Sequence, residues 1–179
     1  MSAEYKQLTD FLVHMGIADI DHSEKSYLAH LIGVYQDMKA HGCNEELARA
    51  GMFHSIYGTQ MFQGFKLGLE ERPKVRDMIG ERAERLAYCN CAMDRPSFDR
   101  ILDQPQGPYH FLDRITQEPI ELSRADFDDL CKIHLYDWLE QVPRSKNWSY
   151  RRAAFRKMAE RLGGVALESF DSVFAAEAS

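Results

Sequence analysis

Two histidines and one aspartate stand in segments whose other residues are largely apolar and helix-forming. His30 lies inside one such segment, and His54 follows 24 positions later, at the end of a run of small and apolar residues. Asp137 lies one turn from Ile133 and beside Trp138, where a carboxylate is costly to bury unless it is paired or bound to a cation. Residue type alone leaves two interpretations open. Either each polar group bonds to a neighbour in the core, Asp137 to an arginine for instance, or the three serve a functional site.

Apolar periodicity predicts that helices carry these residues. Residues at i, i+3, i+4 and i+7 form apolar stripes, and Ser, Asn, Gly and Pro mark the expected helix ends. The segment that ends at His54 is apolar nearly all round, which is typical of a buried central helix. The predicted helices are 8–15, a helix from 21 or 23 to 41, a helix from 44 that breaks or bends near 58, and further helices over 74–92, 123–141, 150–162 and 166–174.

One further segment predicts strands instead of a helix. The run 111–122 alternates apolar and polar residues around Gln117 and Pro119, which favours a small two-stranded hairpin. The chain of 179 residues has the size of one ordinary domain, and it contains no internal repeat or linker. We therefore expect one all-α helical bundle over residues 1–179, with a small β-hairpin near 111–122.

Composition excludes several classes of protein. Lys and Arg number 22 against 28 Asp and Glu, and a net charge of −6 argues against nucleic-acid binding through phosphate neutralisation. No stretch approaches the roughly 20 apolar residues of a membrane span, and the N-terminus lacks the pattern of a secretory signal. The four cysteines are scattered without a zinc-site spacing. We expect a reduced, cytoplasmic protein without a membrane or nucleic-acid partner, and a homodimer stays open.

The segments around the three polar residues resemble the HD-domain superfamily of metal-dependent phosphohydrolases. The likeness is nearest to the branch that hydrolyses guanosine tetraphosphate alarmones, and it extends over residues 22–141. A pattern H-S…H-L…F-H-S-x-Y-G-T, which ends at Thr59, also resembles an uncharacterised HD-like family. The similar segments are LAHL at 28–31, ARAGMFH at 48–54 and IHLYDWLEQ at 133–141.

This resemblance implies a fold and a ligand set. The expected fold is an HD-like helical bundle, in which His30, His54 and Asp137 bind one divalent cation, Mn²⁺, Fe²⁺ or Zn²⁺. Where the superfamily has the aspartate of its His-Asp doublet, this chain has Ser55. A hydroxyl is a poor ligand and cannot bridge two metals as a carboxylate does, so one ion is expected instead of two.

The residues that would activate water also differ from those of the superfamily. The alarmone-hydrolase branch has an acidic pair after the doublet, and the matching positions here are Gly58 and Thr59. The general base must then come from elsewhere. His22, eight residues before the first predicted ligand, is the best candidate, and His134, three residues before the last, is a weaker one.

Candidate substrate contacts flank the predicted ligands. For an anionic substrate, Lys25 and Arg144 are the natural phosphate-binding cations, although either could instead be a solvated surface residue. The remaining candidates offer hydroxyl or amide groups: Tyr57, Thr59, Gln60 and Gln141.

The resemblance implies a metal-dependent hydrolase that acts on a small, phosphorylated molecule through metal-activated water. Two alternatives stay open. An HD-type oxygenase with one or two irons uses a similar ligand set. A catalytically retired HD fold would bind a ligand or partner without turnover, and the losses at Ser55, Gly58 and Thr59 are what that alternative predicts.

Overall fold

The computed structural model describes the backbone of residues 3–17, 20–22 and 25–178, and the side chains of 4–17, 20 and 25–177. Within these ranges the chain forms nine α-helices, four short strands and three single 3₁₀ turns. The helices are α1 (Ala3–His14), α2 (Tyr27–Ala40), α3 (Glu45–Met52), α4 (Arg72–Ile79), α5 (Glu81–Ala92), α6 (Arg95–Asp99), α7 (Arg124–Gln141), α8 (Arg152–Leu162) and α9 (Gly164–Ala175). The strands are β1 (Asp21–His22), β2 (Lys25–Ser26), β3 (Tyr109–Leu112) and β4 (Pro119–Leu122). No helix among the described residues is long and apolar enough to cross a membrane.

The predicted all-α class and the predicted hairpin are both confirmed. Strands β3 and β4 pair antiparallel, with Tyr109 opposite Leu122 and Leu112 opposite Pro119. The hairpin begins two residues before the predicted start because Tyr109 is buried and stacks on Phe127 of α7 at a centroid distance of 4.3 Å. A second small hairpin, β1 with β2, precedes α2 and was not predicted.

Several helix predictions were wrong in their boundaries. Helix α1 begins at Ala3 instead of residue 8, and α3 ends at Met52 instead of near residue 58. The expected helix 74–92 is divided into α4 and α5 at Gly80, whose φ of +95° ends one helix and starts the next. Helix α2 begins at Tyr27, not at 21 or 23, because the hydroxyl of Ser26 accepts the Ala29 amide and caps the first turn. The short helix α6 was predicted as loop; Asp94 caps it, and its side chain accepts the Ser97 amide.

Helix α7 is the element on which the bundle is assembled. It packs against α2, α3, α5, α8 and α9, and α2 and α3 also pack against each other. One side of α7 therefore faces both helical segments that carry the predicted histidine ligands. This arrangement places the middle of α2, the end of α3 and the second half of α7 around one point.

A buried carboxylate fixes the chain that leaves α3. Glu84 of α5 is 1% exposed, and its Oε1 accepts the hydroxyl of Tyr57 at 2.9 Å. Arg72 of α4 donates to the same carboxylate from Nε at 2.6 Å and from its terminal nitrogen at 3.1 Å. Glu84 thus joins α4, α5 and the segment that follows His54.

We expect Glu84→Ala to lower the free energy of unfolding by about 2–4 kcal/mol, because it leaves a buried hydroxyl and an arginine without their acceptor. Urea unfolding followed by circular dichroism measures the change. Glu81→Ala, at an exposed position in the first turn of the same helix, is the matched control and should cost less than about 1 kcal/mol. Equal losses in the two variants would show that Glu84 does not anchor this region.

Candidate metal centre

Three separate elements deliver the predicted ligands to one place. His30 lies in the middle of α2, Asp137 lies in the second half of α7, and His54 lies two residues beyond the end of α3. The carbonyl oxygen of His54 accepts hydrogen bonds from the Asn90 amide at 2.9 Å and from the Cys91 thiol at 3.2 Å, both on α5. The backbone of His54 is therefore held although it lies outside regular helix.

The ligand atoms form a nearly equilateral triangle. His30 Nε2 lies 3.3 Å from His54 Nε2 and 3.3 Å from Asp137 Oδ1, and His54 Nε2 lies 3.2 Å from the same oxygen. Ligand atoms about 2.0–2.1 Å from a tetrahedral ion are about 3.3–3.4 Å apart, so these separations suit such a site. The histidines are each 1% exposed and Asp137 is 7% exposed, so this group can hold a metal ion away from bulk water.

Hydrogen bonds at the far side of each imidazole set its tautomer. His54 Nδ1 lies 2.7 Å from the Gly51 carbonyl oxygen, and His30 Nδ1 lies 2.5 Å from Glu140 Oε2. Both partners accept, so each Nδ1 carries a hydrogen and donates it. Each Nε2 then presents a lone pair to the other and to the Asp137 carboxylate. Such an arrangement is repulsive unless a cation or a proton lies among the three atoms.

The charges in the cluster favour positive charge at its centre. Burial lowers the pKa of His30, but the carboxylates of Asp137 and Glu140 outweigh burial and raise that pKa above its ordinary value. Burial raises the pKa of Asp137, but the adjacent His54 and His30 outweigh burial and hold the pKa of this carboxyl well below its usual range. Both shifts favour a positive charge among the three atoms, which a proton or a metal ion can supply.

Glu140 is a functional residue that the sequence analysis missed. Burial raises its pKa, but His30 and Lys25 outweigh burial and lower it to about 2, so the group is a carboxylate. Carboxylates that accept from the outer nitrogen of a metal-binding histidine orient the ring and raise its basicity. Its position, three residues after Asp137 on the same helix face, was the available signal.

Lys25 and Arg144 act through this carboxylate. Lys25 Nζ lies 2.9 Å from Glu140 Oε1, and a terminal nitrogen of Arg144 lies 2.7 Å from Oε2. Neither cation lines the pocket described below, so their predicted role as substrate contacts is not what this geometry favours. They neutralise Glu140 and hold it against His30.

A pocket of about 400 Å³ opens onto His54 and Asp137. Its walls combine aromatic rings with hydroxyl, amide and cationic groups, and among them are Ser55, Thr59, Phe62, Arg95, Trp138 and Tyr150. His54 and Asp137 thus lie between the core and a space that is large enough for a small molecule.

The predicted substrate contacts divide into two groups. Thr59 and Gln141 line the pocket, and the Gln141 amide also donates to Asp137 Oδ1. Tyr57 is fully buried against Glu84. Gln60 is exposed and does not line the pocket, and its side-chain oxygen accepts the Arg95 backbone amide at 2.9 Å.

The structure describes the side chain of only one of the two candidate general bases, His22 and His134. The side chain of His22 lies outside the described residues. His134 lines the pocket, but its Nε2 accepts from Arg151 at 2.7 Å and its Nδ1 donates to Asn90 Oδ1 at 3.0 Å. Burial, and then the charge of Arg151, hold the pKa of His134 well below its usual range. His134 is therefore a neutral ring with both nitrogens engaged, which does not suit a general base.

Ser55, which the resemblance matches to the doublet aspartate, also lines the pocket. Its hydroxyl is hydrogen-bonded to the Tyr27 hydroxyl at 2.9 Å, in surroundings that are almost fully buried. Burial raises the pKa of the Tyr27 hydroxyl above its ordinary value, so this pair stays uncharged. The position therefore offers two neutral hydroxyls where a second metal would need a carboxylate.

Residues 11–95 match the family model of a domain of unknown function (DUF6817). No curated protein matches the chain, and no solved structure does. The matched segment contains His30 and His54 and ends before α7, so the centre combines two histidines from inside it with Asp137 from outside it. The resemblance to the HD-domain superfamily stays a prediction.

We expect Glu140→Gln to weaken metal binding about 10- to 100-fold, because the amide cannot hold the His30 ring as the carboxylate does. Isothermal titration calorimetry with Zn²⁺ measures the dissociation constant. Glu168→Gln, at an exposed position on α9, removes the same charge and should leave the constant unchanged. Equal affinities in the Glu140 variant and the wild type would remove Glu140 from the centre.

Proposed function

We propose that the protein is a hydrolase that uses one divalent cation, held by His30, His54 and Asp137, to cleave a small phosphorylated molecule. The observation that carries the proposal is the convergence of three acceptor atoms, 3.2–3.3 Å apart, next to a pocket that two of the three residues, His54 and Asp137, line. The resemblance to metal-dependent phosphohydrolases supports the choice of reaction.

In this proposal the ion would activate water and substrate, and the residues of the chain would hold and orient the ion. A divalent cation in this position would supply a bound water of lowered pKa and a Lewis acid for a phosphoryl oxygen. The two imidazoles and one carboxylate leave positions free on the side where His54 and Asp137 face the pocket. Glu140 and the Gly51 carbonyl keep both Nε2 atoms directed to the ion.

The ligand types limit the metals that fit. Imidazole suits zinc and iron, a carboxylate suits manganese as well, and no thiol lies among the three ligands. We propose Mn²⁺, Fe²⁺ or Zn²⁺ as the resident ion.

One observation favours a second candidate, an iron-dependent oxygenase. In the part of the chain that the structure describes, Asp137 is the only carboxylate that lines the pocket, and it belongs to the ligand set. No other acidic side chain there is placed to act as a general base for water. Two histidines and one carboxylate with open positions are also the ligand set of non-haem Fe²⁺ oxygenases.

Metal content tests whether the centre exists. Protein purified without chelators should carry about one equivalent of manganese, iron or zinc by mass spectrometry. His54→Ala and the nearly isosteric Asp137→Asn should lose most of it while retaining the helical circular dichroism signal. His14→Ala, at an exposed position in α1, is the control and should retain the wild-type content.

The activity measurement separates the two reactions. The metal-loaded protein should release inorganic phosphate from phosphate monoesters in ¹⁸O-labelled water, with the label in the phosphate. His54→Ala should abolish the release and His14→Ala should not. Oxygen consumption with Fe²⁺, without phosphate release, would show that the protein is an oxygenase and not a hydrolase. Absence of metal from the wild type would leave only the ligand-binding alternative.

A further inference from the structure

We propose that Arg95 is the cation of a phosphate-binding subsite in the pocket, beside the metal centre. The subsite would hold a phosphate monoester by its oxygens. Its assignment to a substrate rests on the proposed function, whereas its ability to bind phosphate does not.

Arg95 carries a positive charge that no carboxylate neutralises within the part of the chain that the structure describes. It is partly buried, lines the pocket, and has no ion pair within 4.0 Å there. Two other arginines near the pocket differ, since Arg144 pairs with Glu140 and Arg151 with Asp99. The Arg95 guanidinium donates to the neutral Tyr150 hydroxyl, which uses one of its five N–H groups.

An anion at this position would recover the energy that burial of the charge costs. A guanidinium loses hydrogen bonds to water when it is partly buried in a pocket. A phosphate can replace them, because two of its oxygens accept hydrogen bonds from two parallel N–H groups. Arg95 is also well positioned, because its backbone amide donates to the Gln60 side chain at 2.9 Å and Asp94 caps its helix. A fixed backbone lowers the entropy that ligand binding costs.

Trp138 forms part of the wall of the same pocket. Its ring is held in place, since it stacks on Phe155 at a centroid distance of 5.5 Å with planes 10° apart. It also contacts the ring of Tyr150, whose hydroxyl accepts from Arg95. The wall next to Arg95 is therefore rigid and aromatic.

The guanidinium selects the class of ligand. A phosphate group has enough oxygens to accept from the remaining N–H groups of Arg95, while Asp137, the carboxylate in the pocket wall, belongs to the metal centre. The pocket of about 400 Å³ is in the range of small-molecule sites, and Phe62 and Tyr150 contribute aromatic wall for the organic part. We therefore assign a phosphate monoester of a small organic molecule.

Calorimetric titration of inorganic phosphate into protein freed of metal with EDTA tests the subsite without the metal centre. Wild-type protein should bind phosphate, and Arg95→Gln should bind it at least about tenfold more weakly, the effect of losing a charge-assisted hydrogen bond. Arg100→Gln is the matched control: it removes the same charge from an exposed residue at the end of α6, and should bind like the wild type.

Fluorescence of Trp138 shows whether phosphate binds in this pocket. The chain has two tryptophans, so in a Trp148→Phe background the indole emission comes from Trp138 alone. Phosphate should change this emission over the same concentrations as the calorimetric binding, because Trp138 lines the pocket. An unchanged emission at saturating phosphate would place the bound anion elsewhere.

The possible results separate the subsite from the proposed function. Phosphate binding that depends on Arg95 in a protein that takes up no metal would support the subsite and overturn the metal-dependent hydrolase. No phosphate binding by the EDTA-treated wild type, equal binding by wild type and Arg95→Gln, or preference for acetate over phosphate would overturn the subsite. Metal content of Arg95→Gln should equal that of the wild type.

Discussion

Two imidazole nitrogens and one carboxylate oxygen face one another inside the bundle, and this constraint governs the surrounding structure. The Nε2 atoms of His30 and His54 and the Oδ1 atom of Asp137 are mutually 3.2–3.3 Å apart. Glu140 accepts the Nδ1 hydrogen of His30, and the Gly51 carbonyl accepts that of His54. Both rings are therefore held with their Nε2 atoms directed towards the centre of the triangle. Positive charge at the centre of the triangle would stabilise the arrangement.

The rest of the molecule can be understood as the support for this triangle. Helix α7 contributes both Asp137 and Glu140, so one helix supplies a ligand and the group that orients another ligand. Lys25 and Arg144 then neutralise Glu140, and Asn90 holds the carbonyl of His54. Lys25 and Arg144, which the sequence analysis predicted as substrate contacts, are therefore paired with Glu140 and hold it in place. Arg95, which lacks a carboxylate partner among the described residues, is the cation that faces the pocket.

The sequence predicted the parts of the structure that depend on local pattern. Apolar periodicity predicted the long helices, and alternation predicted the β3–β4 hairpin. The boundary at Gly80 was missed because an apolar stripe continues across it, and only the positive φ of the glycine divides the helix. Glu140 and Arg95 were missed for another reason. Their roles depend on which distant groups lie beside them, as with Glu140 and His30, and spacing along the chain does not carry that information.

X-ray diffraction at the absorption edge of the bound metal tests the central claim most directly. The account predicts one anomalous peak, about 2.0–2.2 Å from His30 Nε2, His54 Nε2 and Asp137 Oδ1. Glu140 should still accept the Nδ1 hydrogen of His30 in that crystal. A crystal in which the three atoms bond only to water or to one another after growth with the metal, or in which the metal occupies another site, would contradict the account.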